Sequence, residues 1–126
     1  YESKEGHIND KVEILYGDPF RDCVALTEIS DIPDTCYEIG GDCFNGCSSL
    51  KSIVIGRGIT QISYSAFRNC TSMESLFIKT AIPPMLGNDA FTNNHCKIYV
   101  SIGSGAAYKA AANWSVWADR IYEYDF

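Results

Sequence analysis

The chain has 126 residues, 46% of them hydrophobic and 21% charged, which is enough apolar material for the core of one domain and crowded for two. No stretch approaches the roughly 20 consecutive apolar residues that cross a bilayer, and residues 1–11 hold no signal-like apolar run, so a membrane span is excluded as the organising element. The net charge of −6 sits almost wholly in residues 1–42, which carry eleven Asp/Glu against three Lys/Arg, and the weakly basic remainder lacks the clustered cationic stripe that binding nucleic acid requires.

The lead-in, residues 1–19, contains the apolar pair Val12 and Leu15 and reads as a partial N-terminal repeat. The pattern Phe-x-x-Cys-x-x-Leu/Met-x-x-Ile/Leu then begins with Phe20, Cys23, Leu26 and Ile29. It recurs as Phe44, Cys47, Leu50, Ile53 and as Phe67, Cys70, Met73, Leu76, and Phe91 follows at the same interval. The phenylalanines stand 24, 23 and 24 residues apart, inside the period range of leucine-rich solenoids.

Within each copy, the i, i+3, i+6 spacing by itself also fits a helical face. The segments that follow decide for strands. Ser52-Ile53-Val54-Ile55-Gly56 alternates, is β-branched and ends in Gly, and Glu74 to Ile78 and Lys97 to Val100 repeat the pattern. A second, shorter strand is predicted at Ile59 to Ile62, matched by Cys36 and Ile39 and by Val12 and Leu15. Length differences fall at residues 31–34 and 82–85, where Pro33, Pro83 and Pro84 favour loops over ladder pairing. Residues 20–100 therefore read as repeats, in about four units.

From Ser101 the character changes. Residues 104–112 are rich in Ala, with Ser104 in place as an N-cap, and predict a helix. Trp114, Trp117, Ile121 and Tyr122 supply the large apolar groups needed to cover the open end of a solenoid core, so residues 101–126 read as a C-terminal cap.

Six cysteines in a short chain raise the prospect of a disulfide framework, and Cys43-x-x-x-Cys47 raises that of a metal. The repeat favours a third reading. Cys23, Cys47 and Cys70 share one apolar position, Cys43 stands where Ala66 and Ala90 stand, Cys36 where Ile59 stands, and Cys96 shares a face with Ile98, so all six read as small buried side chains.

The string Ala66-Phe67-x-x-Cys70-Thr71-Ser72-Met73-x-x-Leu76-x-Ile78, the preceding Ile59-Thr60-x-Ile62, Pro83-Pro84, and Ile98-Tyr99-Val100 leading to Ala107-Tyr108-Lys109-Ala110-Ala111-x-x-Trp114 resemble the BspA-like leucine-rich-repeat family. The resemblance implies an α/β, right-handed leucine-rich-repeat solenoid, mostly of short β-strands, with a C-terminal capping helix. It also implies a secreted or surface-anchored protein of bacterial type whose relatives take part in adhesion. It supplies no catalytic set and no cofactor.

A search for chemistry agrees with that implication. The chain lacks a Gly-x-Ser-x-Gly elbow, a phosphate loop and a His-Glu-x-x-His motif. Ser48-Ser49-Leu50-Lys51 fits Ser-x-x-Lys, but Leu50 is a core position of the repeat. Asp31, Asp34, Glu38 and Asp42 lack the spacing of a calcium loop.

What remains for function is the surface between core positions. With Ile53 and Ile55 inward, Val54 and its counterparts Phe77 and Tyr99 face outward, and Ser52, Ser75 and Lys97 form the neighbouring row. Such a row either stabilises a two-sided sheet through cross-strand pairs or forms a partner-binding patch. The chain is therefore expected to be a single, non-enzymatic domain that binds a protein partner, a host or bacterial surface protein, as an adhesion module. The alternative is the capped structural end of a longer repeat array.

Overall fold

The computed structural model describes residues 5–126, so the first four residues of the lead-in lie outside the described part. Each repeat forms one coil with a strand on each of two flanks. On the first flank lie β1 (Glu5–Gly6), β3 (Glu28–Ile29), β5 (Ser52–Ile55), β7 (Ser75–Ile78) and β9 (Lys97–Ser101). On the second flank lie β2 (Ile14–Leu15), β4 (Glu38–Ile39), β6 (Gln61–Ile62) and β8 (Met85–Leu86). Successive coils pair in parallel, as identical units translated along one axis must, and β2-β4-β6-β8 form one sheet.

The lead-in carries both β1 and β2, so the solenoid has about five turns rather than four. Met85 lies in a strand rather than in the loop expected at residues 82–85. It directly follows Pro83-Pro84, yet it pairs with Gln61, because neither Pro has to donate once the ladder starts at Met85.

The first flank is split. Among the described residues β3 pairs with β1 and not with β5, and Asp31-Ile32-Pro33 breaks the run so that Ile32 bridges to Ile55. Its amide donates to the Val54 carbonyl at 2.8 Å, and its carbonyl accepts from Gly56 at 2.9 Å. Ile32, in register with Ile55, is buried, whereas Ile29, the counterpart of Ile53, is only half-buried.

Inside, the phenylalanines make a continuous stack. Phe20–Phe44, Phe44–Phe67 and Phe67–Phe91 ring centroids lie 5.2, 5.3 and 5.8 Å apart with planes within 6°. That spacing matches the pitch set by neighbouring strands and exceeds ring thickness, so the rings are offset, the favoured stacked geometry.

The turn around each Phe needs two left-handed residues, one on either side. Asp18, Asp42, Ser65 and Asp89, two residues before, have φ of 56, 59, 53 and 59°. Asp22, Gly46, Asn69 and Asn93, two residues after, have φ of 56, 85, 61 and 56°. Seven of these eight are Asp, Asn or Gly, the residues that enter this region at least cost. Amides continue the ladder outward: Asn93 donates to Asn69 at 3.0 Å and Asn69 to Asn45 at 3.1 Å.

The repeated cysteine is more than a small apolar filler. Cys47 Sγ donates to the Phe20 carbonyl at 2.9 Å, and Cys70 Sγ to the Phe44 carbonyl at 3.2 Å. In the fourth copy Asn94 stands at the same position and donates to the Phe67 carbonyl at 3.0 Å. Thiol and amide therefore do one job, satisfying a buried carbonyl of the preceding turn.

At the C-terminal end the next turn is missing, and side chains replace its backbone donors. Tyr108 donates to the Thr80 carbonyl at 2.8 Å, Trp114 to Pro84 at 2.8 Å, Asn113 to Leu86 at 2.6 Å, and Arg120 to Asn94. Trp114 and Trp117 close the phenylalanine stack against Phe91.

The helix itself, α1 (Gly105–Ala110), is shorter than the Ala-rich run, because Ala111 is extended at ψ 148° to bring Trp114 under the core. Ser104 does not cap it with its side chain; the hydroxyl donates to Ser101, and Glu123 instead accepts from the Gly103 and Gly105 amides at 3.0 and 2.9 Å. A 3-10 helix (Ser115–Arg120) follows, then β10 (Ile121–Tyr124), which adds to the first flank to give the order β10-β9-β7-β5.

Candidate functional site

Strand register builds an outward stripe across β5, β7, β9 and β10. Val54 pairs with Phe77, Phe77 with Tyr99 and Tyr99 with Tyr122. Ser52, Ser75 and Lys97 form the row beside it. The alternation that drives Ile53, Ile55, Leu76, Ile78, Ile98 and Val100 into the core leaves these residues outside.

Ser52 and Lys97 are exposed, whereas Ser75, Val54, Phe77 and Tyr99 are half-buried. The sequence places the aromatic pair in solvent; the cover over it comes from the chain's own end. Phe77 and Tyr99 stack at 5.0 Å with planes 16° apart, and Tyr124 sets its ring edge-to-face on both, at 5.2 and 5.7 Å. Phe126 reaches Phe77 at 6.2 Å and Tyr124 at 5.0 Å. Tyr122, read from sequence as part of the cap's apolar cover, is instead 45% exposed and lengthens the stripe. Its signal is the alternation Ile121-Tyr122-Glu123-Tyr124, a strand pattern with the charge facing α1.

Cations flank the stripe on both sides. The Lys97 ammonium lies 5.6 Å from the Tyr122 ring centre, and Arg57 and Lys79 line a cleft of about 440 Å³ with Tyr124, Asp125 and Phe126. The exposed ion pairs elsewhere, Arg21 with Asp18 and Asp42 and Lys51 with Glu74, involve neither Arg57 nor Lys79.

The other candidate chemistries resolve into structure. All six cysteines are free and buried. Burial pushes the Cys47 and Cys96 thiols up to about 12, and raises Cys36, Cys43 and Cys70 as well, so these five are not nucleophiles at neutral pH. Asp34 accepts from the Arg57 amide at 2.7 Å, and Asp42 from the Asn45 side chain at 2.9 Å, so these acids hold turns together. Among the described residues no three His, Cys, Asp or Glu are grouped to hold a metal ion, and no helix is long and apolar enough to cross a membrane. Leu50 of the Ser-x-x-Lys string is fully buried.

A model of the BspA-type leucine-rich repeat region matches residues 3–108 in six copies. No curated protein matches the sequence.

Proposed function

The chain belongs to the BspA-type leucine-rich-repeat family, a repeat and protein-interaction architecture generally without catalysis, and on that premise we propose that it is an adhesion module recognising a host or bacterial surface protein. Its place of action is the outside of a bacterial cell, secreted or surface-anchored, as is typical of the family. The chain acts as one domain, residues 20–100 supplying the repeats and residues 101–126 the cap.

The observation that carries this reading is the aromatic stripe. Val54, Phe77, Tyr99 and Tyr122 are in register on the outer face of a parallel sheet, and Phe and Tyr are among the side chains enriched at interfaces. A stripe needed only for cross-strand packing gains about 0.2–1 kcal/mol per pair and has no use for cations on either side. Ser52, Ser75 and Lys97 belong to the same surface and supply its polar rim.

A second reading, the structural end of a longer array, is favoured by the dedicated closure of the C-terminal turn by Tyr108, Asn113, Trp114 and Arg120. Pull-down of surface proteins with the intact chain separates the two. A Phe77→Ser/Tyr99→Ser double variant is expected to lose at least tenfold in capture while keeping its circular dichroism spectrum, since both rings lie outside the core. Undiminished capture, or no capture by the parent chain, favours the array-end reading.

A further inference from the structure

The last three residues lie on the stripe as a ligand would. Tyr124 stands on Phe77 and Tyr99, Phe126 stands on Phe77, and Asp125 between them lines the cleft that holds Arg57 and Lys79. Tyr124 and Phe126 nonetheless remain 46% and 38% exposed, so this cover is shallow. We propose that the stripe and the Arg57–Lys79 cleft form one docking site for an acidic protein segment bearing an aromatic side chain, and that Tyr124-Asp125-Phe126 occupies it until such a segment displaces it. The inference rests on the recognition role given to the stripe and names the chemistry of what it recognises.

Ring geometry selects a protein segment over a sugar. A pyranose ring stacks on an open aromatic face, but Phe77 and Tyr99 cover one another's faces at 5.0 Å and present edges outward. Ring edges carry the positive end of the aromatic quadrupole, which attracts carboxylates and the faces of further aromatic rings, in the T-shaped geometry Tyr124 and Phe126 already make. Lys97, Lys79 and Arg57 give the surface around those edges the same sign. Residues 1–42, with eleven acids against three bases, repel an acidic segment and so confine it to the C-terminal half of the sheet.

The test uses the full chain and a fluorescein-labelled peptide, Glu-Tyr-Asp-Phe-Asp-Glu, followed by anisotropy. Removing the internal occupant with Tyr124→Ser/Phe126→Ser is expected to tighten binding at least tenfold. Arg57→Glu/Lys79→Glu is expected to weaken it at least tenfold, and a peptide with lysine at every acidic position is expected not to bind. The inference is overturned if the uncovered variant ignores the peptide, if charge reversal on either side leaves affinity unchanged, or if a sulfated oligosaccharide binds the stripe more tightly than the peptide. If a surface protein is still captured through Phe77 and Tyr99 while the peptide fails, this inference falls and the recognition role stands; if capture is indifferent to those two residues, the recognition role itself falls.

Discussion

Phe67→Ala is expected to cost about 3–5 kcal/mol, the usual range for deleting a fully buried Phe, and so to remove much of a net stability of about 5–15 kcal/mol. Phe67 sits in the middle of the stack, so its loss opens a void between Phe44 and Phe91 that neither can fill, because each is fixed by its own turn. Two stacked contacts disappear at once, each worth about 0.5–1.5 kcal/mol beyond area burial. In a solenoid each coil contacts only its neighbours, so a break at the third Phe uncouples the lead-in side from the capped side. Urea unfolding should show a midpoint far below that of the parent chain and a broadened transition; a melting temperature lowered by only a degree or two would contradict the stack as the main support of the core.

Raising the pH above 9 is expected to destabilise the native chain steeply. Thiols ordinarily titrate near 9.0, while burial, helped by neighbouring thiols, lifts Cys43 and Cys70 well above that, Cys47 to about 12, and Cys96 to about 12 against the opposing pull of Arg120. The native pKa values exceed the unfolded ones, so this contribution is complete below pH 9 and is lost as pH rises toward the native values. At pH 10 each of the four thiols costs on the order of 1 kcal/mol, since one pH unit is worth about 1.4 kcal/mol, and together they remove about 4 kcal/mol. The raised Cys36 thiol and Tyr108 hydroxyl, both pushed up by burial, act in the same direction. The urea midpoint under reductant should fall steeply between pH 9 and pH 10.5, with thiolate absorbance appearing together with loss of near-ultraviolet circular dichroism. An unchanged midpoint at pH 10 would mean the thiols reach water in the folded chain.

The parts of the fold that repeat were legible in the sequence, since a fixed interval between Phe20, Phe44, Phe67 and Phe91 forces equivalent residues into equivalent places. The inward and outward faces followed from strand alternation, which puts Ile53, Leu76 and Ile98 inside and Val54, Phe77 and Tyr99 outside. What escaped lies where the period stops or where one residue type does two jobs. In the sequence the cysteines read as apolar because burial alone explains a small side chain; Asn94, at the same position in the fourth copy, marks it as a donor site. The Asp, Gly and Asn residues flanking each Phe were likewise a visible signal of left-handed turns. β10 is hidden in the sequence because a four-residue strand soon after two tryptophans looks like more cap; its Tyr122 lengthens the candidate site and its Tyr124 covers it.

The lead-in and the first complete repeat show the opposite effect, a regular sequence signal overridden by tertiary structure. Ile29 occupies the repeat's first inward strand position but is only half-buried, and Ile32, in register with the second inward residue Ile55, makes the β-bridge from that repeat to β5. The sheet is therefore continuous from β5 to β10, the same span that carries the stripe and its flanking cations. Recognition and regularity coincide there because side chains in one row must share one strand register before they can share one ligand.

The most direct measurement is an amide chemical-shift map of the labelled chain titrated with the surface protein it captures. The account predicts changes concentrated at Val54, Phe77, Tyr99, Tyr122 and Tyr124, with Ser52, Ser75 and Lys97 at their margin. Changes confined to the second flank, at residues 14–15, 38–39, 61–62 and 85–86, would contradict it.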